Sequence, residues 1–223
     1  MSTWEIRTLT CPHCDGSTSA ELARGIHGSR VPAVRAAVLA RRFHQVACEA
    51  CGARIEVARS ILYTDLERGH WVMALAPSAW PAWRDHERAL FDGVARGFTH
   101  GSPLVTHLAP NRVRLVRGYE GLREKLVLWQ HGHDDALIEC VKARLLANAP
   151  EFAAAGSSLI VDAVADDGAL AVAWWPAADA PRPTRTVEVP AAWVADADRD
   201  RDRLRARFPE LFAGGLVSLA RVG

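Results

Sequence analysis

The sequence predicts an α+β fold, in which an antiparallel sheet lobe with a helical insertion is followed by a helical hairpin and a small C-terminal α+β unit. Three observations carry that expectation. Two Cys-x-x-Cys turns, Cys11–Cys14 and Cys48–Cys51, are separated by 33 residues, and each is approached by a strand-like segment. Apolar residues then recur at helical spacing in two adjacent segments, at Tyr119, Leu122, Leu126 and Trp129 and at Leu137, Ile138, Val141 and Leu145. Ser158–Val164 and Leu170–Trp175 finally bracket Ala165-Asp166-Asp167-Gly168, an Asp-Gly hairpin turn.

The composition sets broad limits. A chain of 223 residues that is 49% hydrophobic can build one large domain or two small ones. Its 27 basic and 26 acidic residues leave a net charge of +1, which gives no overall bias toward nucleic acid or anionic membranes. No apolar run approaches the roughly 18 residues of a membrane helix. Met1-Ser2-Thr3-Trp4-Glu5-Ile6-Arg7 lacks a basic region followed by an apolar core, so no export signal is expected and a soluble, cytoplasmic protein is.

In chain order, Trp4 and Ile6 alternate with Glu5 and Arg7, which predicts a strand entering the first cysteine pair. A loop over 24–30 and a helix follow: Pro32 suits a first helical turn, and Val34, Val38 and Leu39 continue it to about Arg41. Phe43-His44-Gln45-Val46 is the strand entering the second pair. Ile55, Val57, Ile61 and Tyr63 then occupy odd positions before a turn at 65–69 and a return at 71–75, predicting a long hairpin in a sheet of three or four antiparallel strands. Ser78 caps a helix to about Phe98 through Trp83, Leu90, Phe91 and Val94. Leu104–Leu108 and Arg112–Val116 flank Ala109-Pro110-Asn111 as strand, turn, strand. The two helices of the hairpin bend at His131-Gly132-His133 and stop before Pro150. Past the C-terminal hairpin come a third strand at 184–189, a helix over 191–207 and a closing strand at 216–222. The domain break falls near Pro150, giving units 1–149 and 150–223.

The cysteines carry the chemistry. Each Cys-x-x-Cys turn points both sulfurs to one side, and two such turns face to face supply the four thiolates of tetrahedral zinc. Pro12 fixes φ between the first two ligands, Gly52 follows the second turn, and Asp15, its counterpart after Cys14, tolerates left-handed backbone better than most residues. Two disulfides would need an oxidising compartment, and a redox dithiol would need one pair near a βαβ pattern. Cys11, Cys14, Cys48 and Cys51 are therefore expected to hold one structural zinc ion, as in zinc ribbons.

Cys-Pro-His-Cys with a distant Cys-x-x-Cys-Gly, then Ile61-Leu62-Tyr63-Thr64-Asp65, then Gly118-Tyr119-Glu120-Gly121-Leu122-Arg123-Glu124-Lys125 and Asp134-Asp135-Ala136-Leu137-Ile138-Glu139, resembles the bacterial CpXC domain family over roughly residues 4–146. The resemblance implies a bacterial protein and a fold hint without an established activity.

Other residues have competing readings. His131, His133, Asp134 and Asp135 could bind a second metal or serve as acid and base, but two carboxylates before an apolar helical run more simply cap that helix. His13 could replace a thiolate ligand, although four cysteines already fill a site. Cys140, beside Val141, is expected to be an inert core thiol. Glu120, Arg123, Glu124 and Lys125 read as ion pairs on a helix surface. Asp198-Arg199-Asp200-Arg201-Asp202-Arg203, with Arg205 and Arg207, reads as a solvated, internally paired helix. Trp80, Trp83, Trp174 and Trp175 could form an aromatic platform. Arg24, Arg30, Arg35, Arg41, Arg42 and Arg54 cluster around the cysteine lobe and are the one argument for nucleic acid. The expected function is a zinc-binding protein-interaction module, an adaptor or accessory part of a bacterial assembly with protein partners. A nucleic-acid-binding ribbon is the alternative, and an enzyme using the His131/His133/Asp134/Asp135 cluster a third.

Overall fold

The computed structural model describes residues 2–99, 112–177 and 182–221, side chains at 96–99 excepted. The predicted strand over 104–108 and the turn at 109–111 lie outside them. The fold is α+β, with seven α-helices and three sheets among the described residues. The chain divides into two compact units, residues 1–119 and 120–223. That division places the helical hairpin with the C-terminal sheet, whereas the composition suggests a break near Pro150.

In the first unit, β1 (Thr3–Thr10) and β2 (Ser17–His27) form a hairpin whose turn carries the first cysteine pair. The sequence does not announce β2, whose last four residues fall in the expected loop over 24–30. Thr18, Ala20 and Leu22 alternate inward, Ala23 is buried as well, and the pairing with β1 then skips Arg24, between Trp4–Ala23 and Thr3–Gly25, so the alternation does not run through the strand. Helix α1 (Pro32–Leu39) follows, with proline in its first turn and Val34 and Val38 buried.

β3 (Gln45–Ala47) and β4 (Arg54–Glu56) make a separate two-stranded ribbon around the second cysteine pair. The expected continuous strand from Ile55 to Tyr63 is thus broken, because Ile55 packs in the ribbon while β5 (Ile61–Asp65) enters the main sheet. β5 pairs antiparallel with β6 (His70–Leu75), and β6 pairs in parallel with β7 (Arg112–Arg117). Among the described residues the main sheet has five strands in the order β1-β2-β5-β6-β7, with β2–β5 and β6–β7 parallel, rather than three or four antiparallel ones. A helical connection makes the second parallel step possible: a 3₁₀ turn (Pro77–Ala82) leads into α2 (Trp83–Thr99). Ile61, Tyr63, Val72, Ala74 and Leu115 form the buried centre of the sheet.

The second unit takes most of α3 (Gly118–Gln130), then α4 (Asp135–Asn148) and a three-stranded antiparallel sheet ordered β10-β9-β8. Its strands are β8 (Ser158–Val164), β9 (Leu170–Trp175) and β10 (Arg185–Val189). The single helix expected over 191–207 is two, α5 (Ala191–Arg199) and α6 (Arg201–Arg207), interrupted at Asp200; a short α7 (Pro209–Ala213) follows. The expected closing strand is replaced by a 3₁₀ turn at Leu219–Arg221. No helix among the described residues is long and apolar enough to cross a membrane.

Candidate metal centre

The two cysteine turns are built alike. Cys11 N–H donates to Gly16 O and Cys48 N–H to Ala53 O, both at 2.8 Å, which closes each loop between the same relative positions. Asp15 N–H donates to Cys11 O at 3.0 Å and Gly52 N–H to Cys48 O at 2.8 Å. Asp15 (φ 56°) and Gly52 (φ 72°) are both left-handed, as their shared position one residue past the second cysteine demands. Each turn thereby brings both its sulfurs to the same side.

Facing one another, the turns gather all four Sγ atoms within 4.8 Å of one another. Cys11 Sγ lies 3.7 Å from Cys51 Sγ, and Cys14 Sγ lies 3.7 Å from Cys48 Sγ. Such separations are far beyond a disulfide's length of about 2.05 Å. They match the edge of about 3.8 Å of a tetrahedron whose centre lies about 2.3 Å from each sulfur. The donor set therefore fits a tetrahedral thiophilic ion, and the four cysteines could hold one. Cys11 and Cys48 are buried against Ile55, with Leu9, Ala53 and Val57 packed around them, whereas Cys14 and Cys51 are exposed. Gly16 closes the gap between the turns: a Cβ there would stand 3.0 Å from Ala50 Cβ and 3.2 Å from Cys14 Sγ.

The electrostatics favour charge on one sulfur first. The backbone N–H of Cys51, the Thr18 hydroxyl and the Ala50 N–H bring the Cys48 thiol down to about 6. The Gly16 N–H pulls Cys14 the same way, but its sulfur neighbours Cys51 and Cys48 outweigh this and push it up to about 12. Four adjacent thiolates need a cation to share their charge. His13 contributes its backbone N–H, 3.4 Å from Cys11 Sγ, and its ring is not part of the cluster.

The lobe is buttressed by a group that periodicity does not single out. His44, buried and left-handed at φ 54°, accepts the Ala23 N–H at Nε2 (2.8 Å), so its proton sits on Nδ1, 2.7 Å from Tyr119 Oη. Phe43 stacks on the imidazole at 3.9 Å and meets Tyr119 edge-on. Tyr119 Oη also accepts the Arg59 N–H, at 3.3 Å.

A match to the CpXC protein family spans residues 9–142, more than half of the chain. The chain belongs to that family. Compared with curated proteins and with solved structures, it matches none of them. The CpXC match includes both cysteine turns and runs on through most of the helical hairpin, into the second compact unit.

In that hairpin the CpXC-like segments do something other than line a surface. Glu124, Lys125, Asp135, Glu139 and Lys142 are all buried, which corrects the expectation of surface ion pairs for Glu124 and Lys125. Lys142 Nζ lies 2.6 Å from both Glu124 Oε1 and Glu139 Oε1. Glu124 also accepts the Val161 N–H and Glu139 the Leu219 N–H. Lys125 Nζ pairs with Asp135 at 3.1 Å and donates to Val217 O at 3.0 Å. Burial by itself would lower Lys142, but the two carboxylates outweigh it and hold the ammonium above its ordinary range. Arg123 binds Asp162 at 2.8 Å.

The residues of the His131/His133/Asp134/Asp135 cluster are divided among structural tasks. His133 N–H donates to Leu128 O and Gly132 N–H to Trp129 O, with Gly132 at φ 77°, so His131-Gly132-His133 is a Schellman cap ending α3. Asp134 is the N-cap of α4, accepting the Ala136 N–H at 3.0 Å, and it also binds Arg201 at 2.6 Å. Asp135 faces Lys125. Among the described residues, the four cysteines are the one group of His, Cys, Asp or Glu side chains placed to hold a metal ion.

The remaining candidates also have places. Cys140 is buried, and burial, Glu139 and Asp134 push its thiol up to about 11. Asp196 binds Arg144 and, within α5, Arg199, and Arg201 binds Asp198 across the interruption at Asp200, the last two at the expected spacing of three. Trp80 and Trp83 stack at 6.5 Å in the first unit, with Arg117 over one ring and Arg84 over the other. Trp174 donates from its indole to Phe152 O in the second unit.

Proposed function

We propose that this chain is a zinc-binding protein-interaction module, an adaptor or accessory subunit of a bacterial cytoplasmic assembly. Cys11, Cys14, Cys48 and Cys51 are the ligands of its single structural zinc. The observation that carries the metal assignment is the pair of 3.7 Å sulfur–sulfur edges between two identically hydrogen-bonded turns. Four thiolates at tetrahedral spacing suit zinc, whose filled shell imposes no other geometry. Such a set leaves no coordination position for water or substrate, so the ion's contribution is to hold the ribbon against β2. The interaction reading is supported by where the other charged groups are spent, in the buried pairs of α3 and α4 and in helix caps.

The test is affinity purification of the tagged chain from its own cells, with metal, protein and nucleic acid assayed on one eluate. One zinc per chain with a stoichiometric protein partner is the expected result. Co-purifying RNA or DNA that is lost at high salt would replace the proposal with a nucleic-acid-binding one.

A further inference from the structure

Among the described residues, strand β1 is one edge of the five-stranded sheet, with β2 as its neighbour. None of its eight residues is buried; Ile6 is 75% exposed and Trp4 39%. A long edge with apolar side chains presents a row of backbone donors and acceptors to any strand that can lie beside it. Charged residues on an edge ordinarily discourage such pairing. Here they are Glu5 and Arg7, opposite in sign, on one face, with Arg7 Nε 2.7 Å from Glu5 Oε1.

We propose that β1 pairs antiparallel with β1 of a second copy of this chain, about a two-fold axis through Ile6, joining the two sheets edge to edge. Opposed residues must share a face of the sheet, so the symmetric registers differ in steps of two residues. The axis through Ile6 sets Glu5 opposite Arg7 of the second copy at both ends, Ile6 opposite Ile6, and Trp4 opposite Thr8. Moving the axis to Glu5 opposes two glutamates, and moving it to Arg7 opposes two arginines. Directly opposed like charges are destabilising and unlike charges stabilising, so charge selects among registers that the backbone alone would accept. Thr3–Leu9 then overlaps its own copy in full. The two cysteine centres, each five residues from the axis at about 3.4 Å per residue, stand about 34 Å apart along the strands and stay clear of the joint.

The full-length, zinc-loaded chain is tested by sedimentation equilibrium from about 1 to 200 µM, a range that brackets a micromolar association. The expected species has twice the 24.3 kDa chain mass. Ile6→Lys and, separately, Arg7→Glu each weaken the association at least about tenfold with an unchanged melting temperature. Ile6→Cys forms a disulfide-linked dimer, and Thr10→Cys, about 27 Å from its copy in this register, does not. A chain that is monomeric throughout the range overturns the proposal. So does a dimer that survives both Ile6→Lys and Arg7→Glu, or cross-linking at Thr10 in place of Ile6.

Discussion

His44 Nδ1 and Tyr119 Oη lie 2.7 Å apart, joining the entry to the second cysteine turn to a residue 75 positions further along the chain. Because Nε2 is committed to the Ala23 N–H, the imidazole has one tautomer and one donor to place. Tyr119→Phe leaves that buried donor without its acceptor, which costs about 1–3 kcal/mol. The expected outcome is a lower midpoint for the first unit in chemical denaturation, with metal content unchanged. An unaltered midpoint would show the phenol to be dispensable.

Acid should weaken the first unit. Burial, the leading cause at both residues, holds His44 and His70 down to about 4. Both stay neutral in the fold and regain an ordinary pKa of about 6.5 when the chain opens. The unfolded state therefore binds more protons between about pH 6.5 and 4, so the stability present above that window is lost as the pH falls through it. Melting curves at pH 7, 6 and 5 should show a decline that His44→Gln and His70→Gln each make shallower. An equal slope in both variants would assign the acid sensitivity to other groups.

Metal removal tests the coupling between the cysteine centre and its lobe. Structural zinc supplies on the order of 10 kcal/mol of folding free energy in small thiolate sites, and the ribbon around Cys48 has little other core. Cys48→Ala, or a strong chelator on the unaltered chain, is expected to unfold or aggregate the first unit while the second keeps its helical signal. A folded, metal-free Cys48→Ala variant with the original melting curve would refute the coupling.

Two glycines near the thiolates should answer differently to the same substitution. Gly52→Ala meets open space and costs only the left-handed backbone penalty, about 1 kcal/mol. Gly16→Ala drives a methyl group to 3.0 Å from Ala50 Cβ and 3.2 Å from Cys14 Sγ, wedging the turns apart. Competition with a chromogenic chelator should find metal affinity lowered about tenfold or more in Gly16→Ala, which is about 1.4 kcal/mol, and nearly unchanged in Gly52→Ala.

Lys142→Met strands Glu124 and Glu139 as neighbouring buried carboxylates without their cation. Breaking a buried pair in this way costs about 3–5 kcal/mol. Urea unfolding should show the second unit destabilised by that amount at neutral pH, with part of the loss recovered in the triple variant that also carries Glu124→Gln and Glu139→Gln. A change under 1 kcal/mol would mean that the carboxylates find other partners.

The cysteine centre was legible because its information is local: a Cys-x-x-Cys turn has one compact geometry, and its repeat with left-handed Asp15 and Gly52 announces a partner turn. Strand β2 was hidden by the phase change between Leu22 and Ala23, and the mixed sheet by the fact that parallel neighbours leave no turn residues between them. The charges of α3 read as a surface for a different reason. Spacing distinguishes one helix face from another, but both faces of these helices are covered, and Lys125 and Lys142 are tolerated inside because each meets a carboxylate of the other helix, Asp135 and Glu124, with Glu139 one turn before Lys142 as a second partner. His44 gave no periodic signal, and the helical spacing that marks Tyr119 says nothing of its hydrogen bond to His44.

The four cysteines enclose β2 and α1 between their two pairs. A tether from Cys11 and Cys14 to Cys48 and Cys51 shortens the effective chain that must be searched before β2 finds β5. For a cross-link spanning this many residues, the closure entropy removed from the open chain amounts to about 3–4 kcal/mol. Early capture of the ion would bring the ends of the insertion together before its strand and helix have formed, making ion supply a determinant of how fast this lobe assembles.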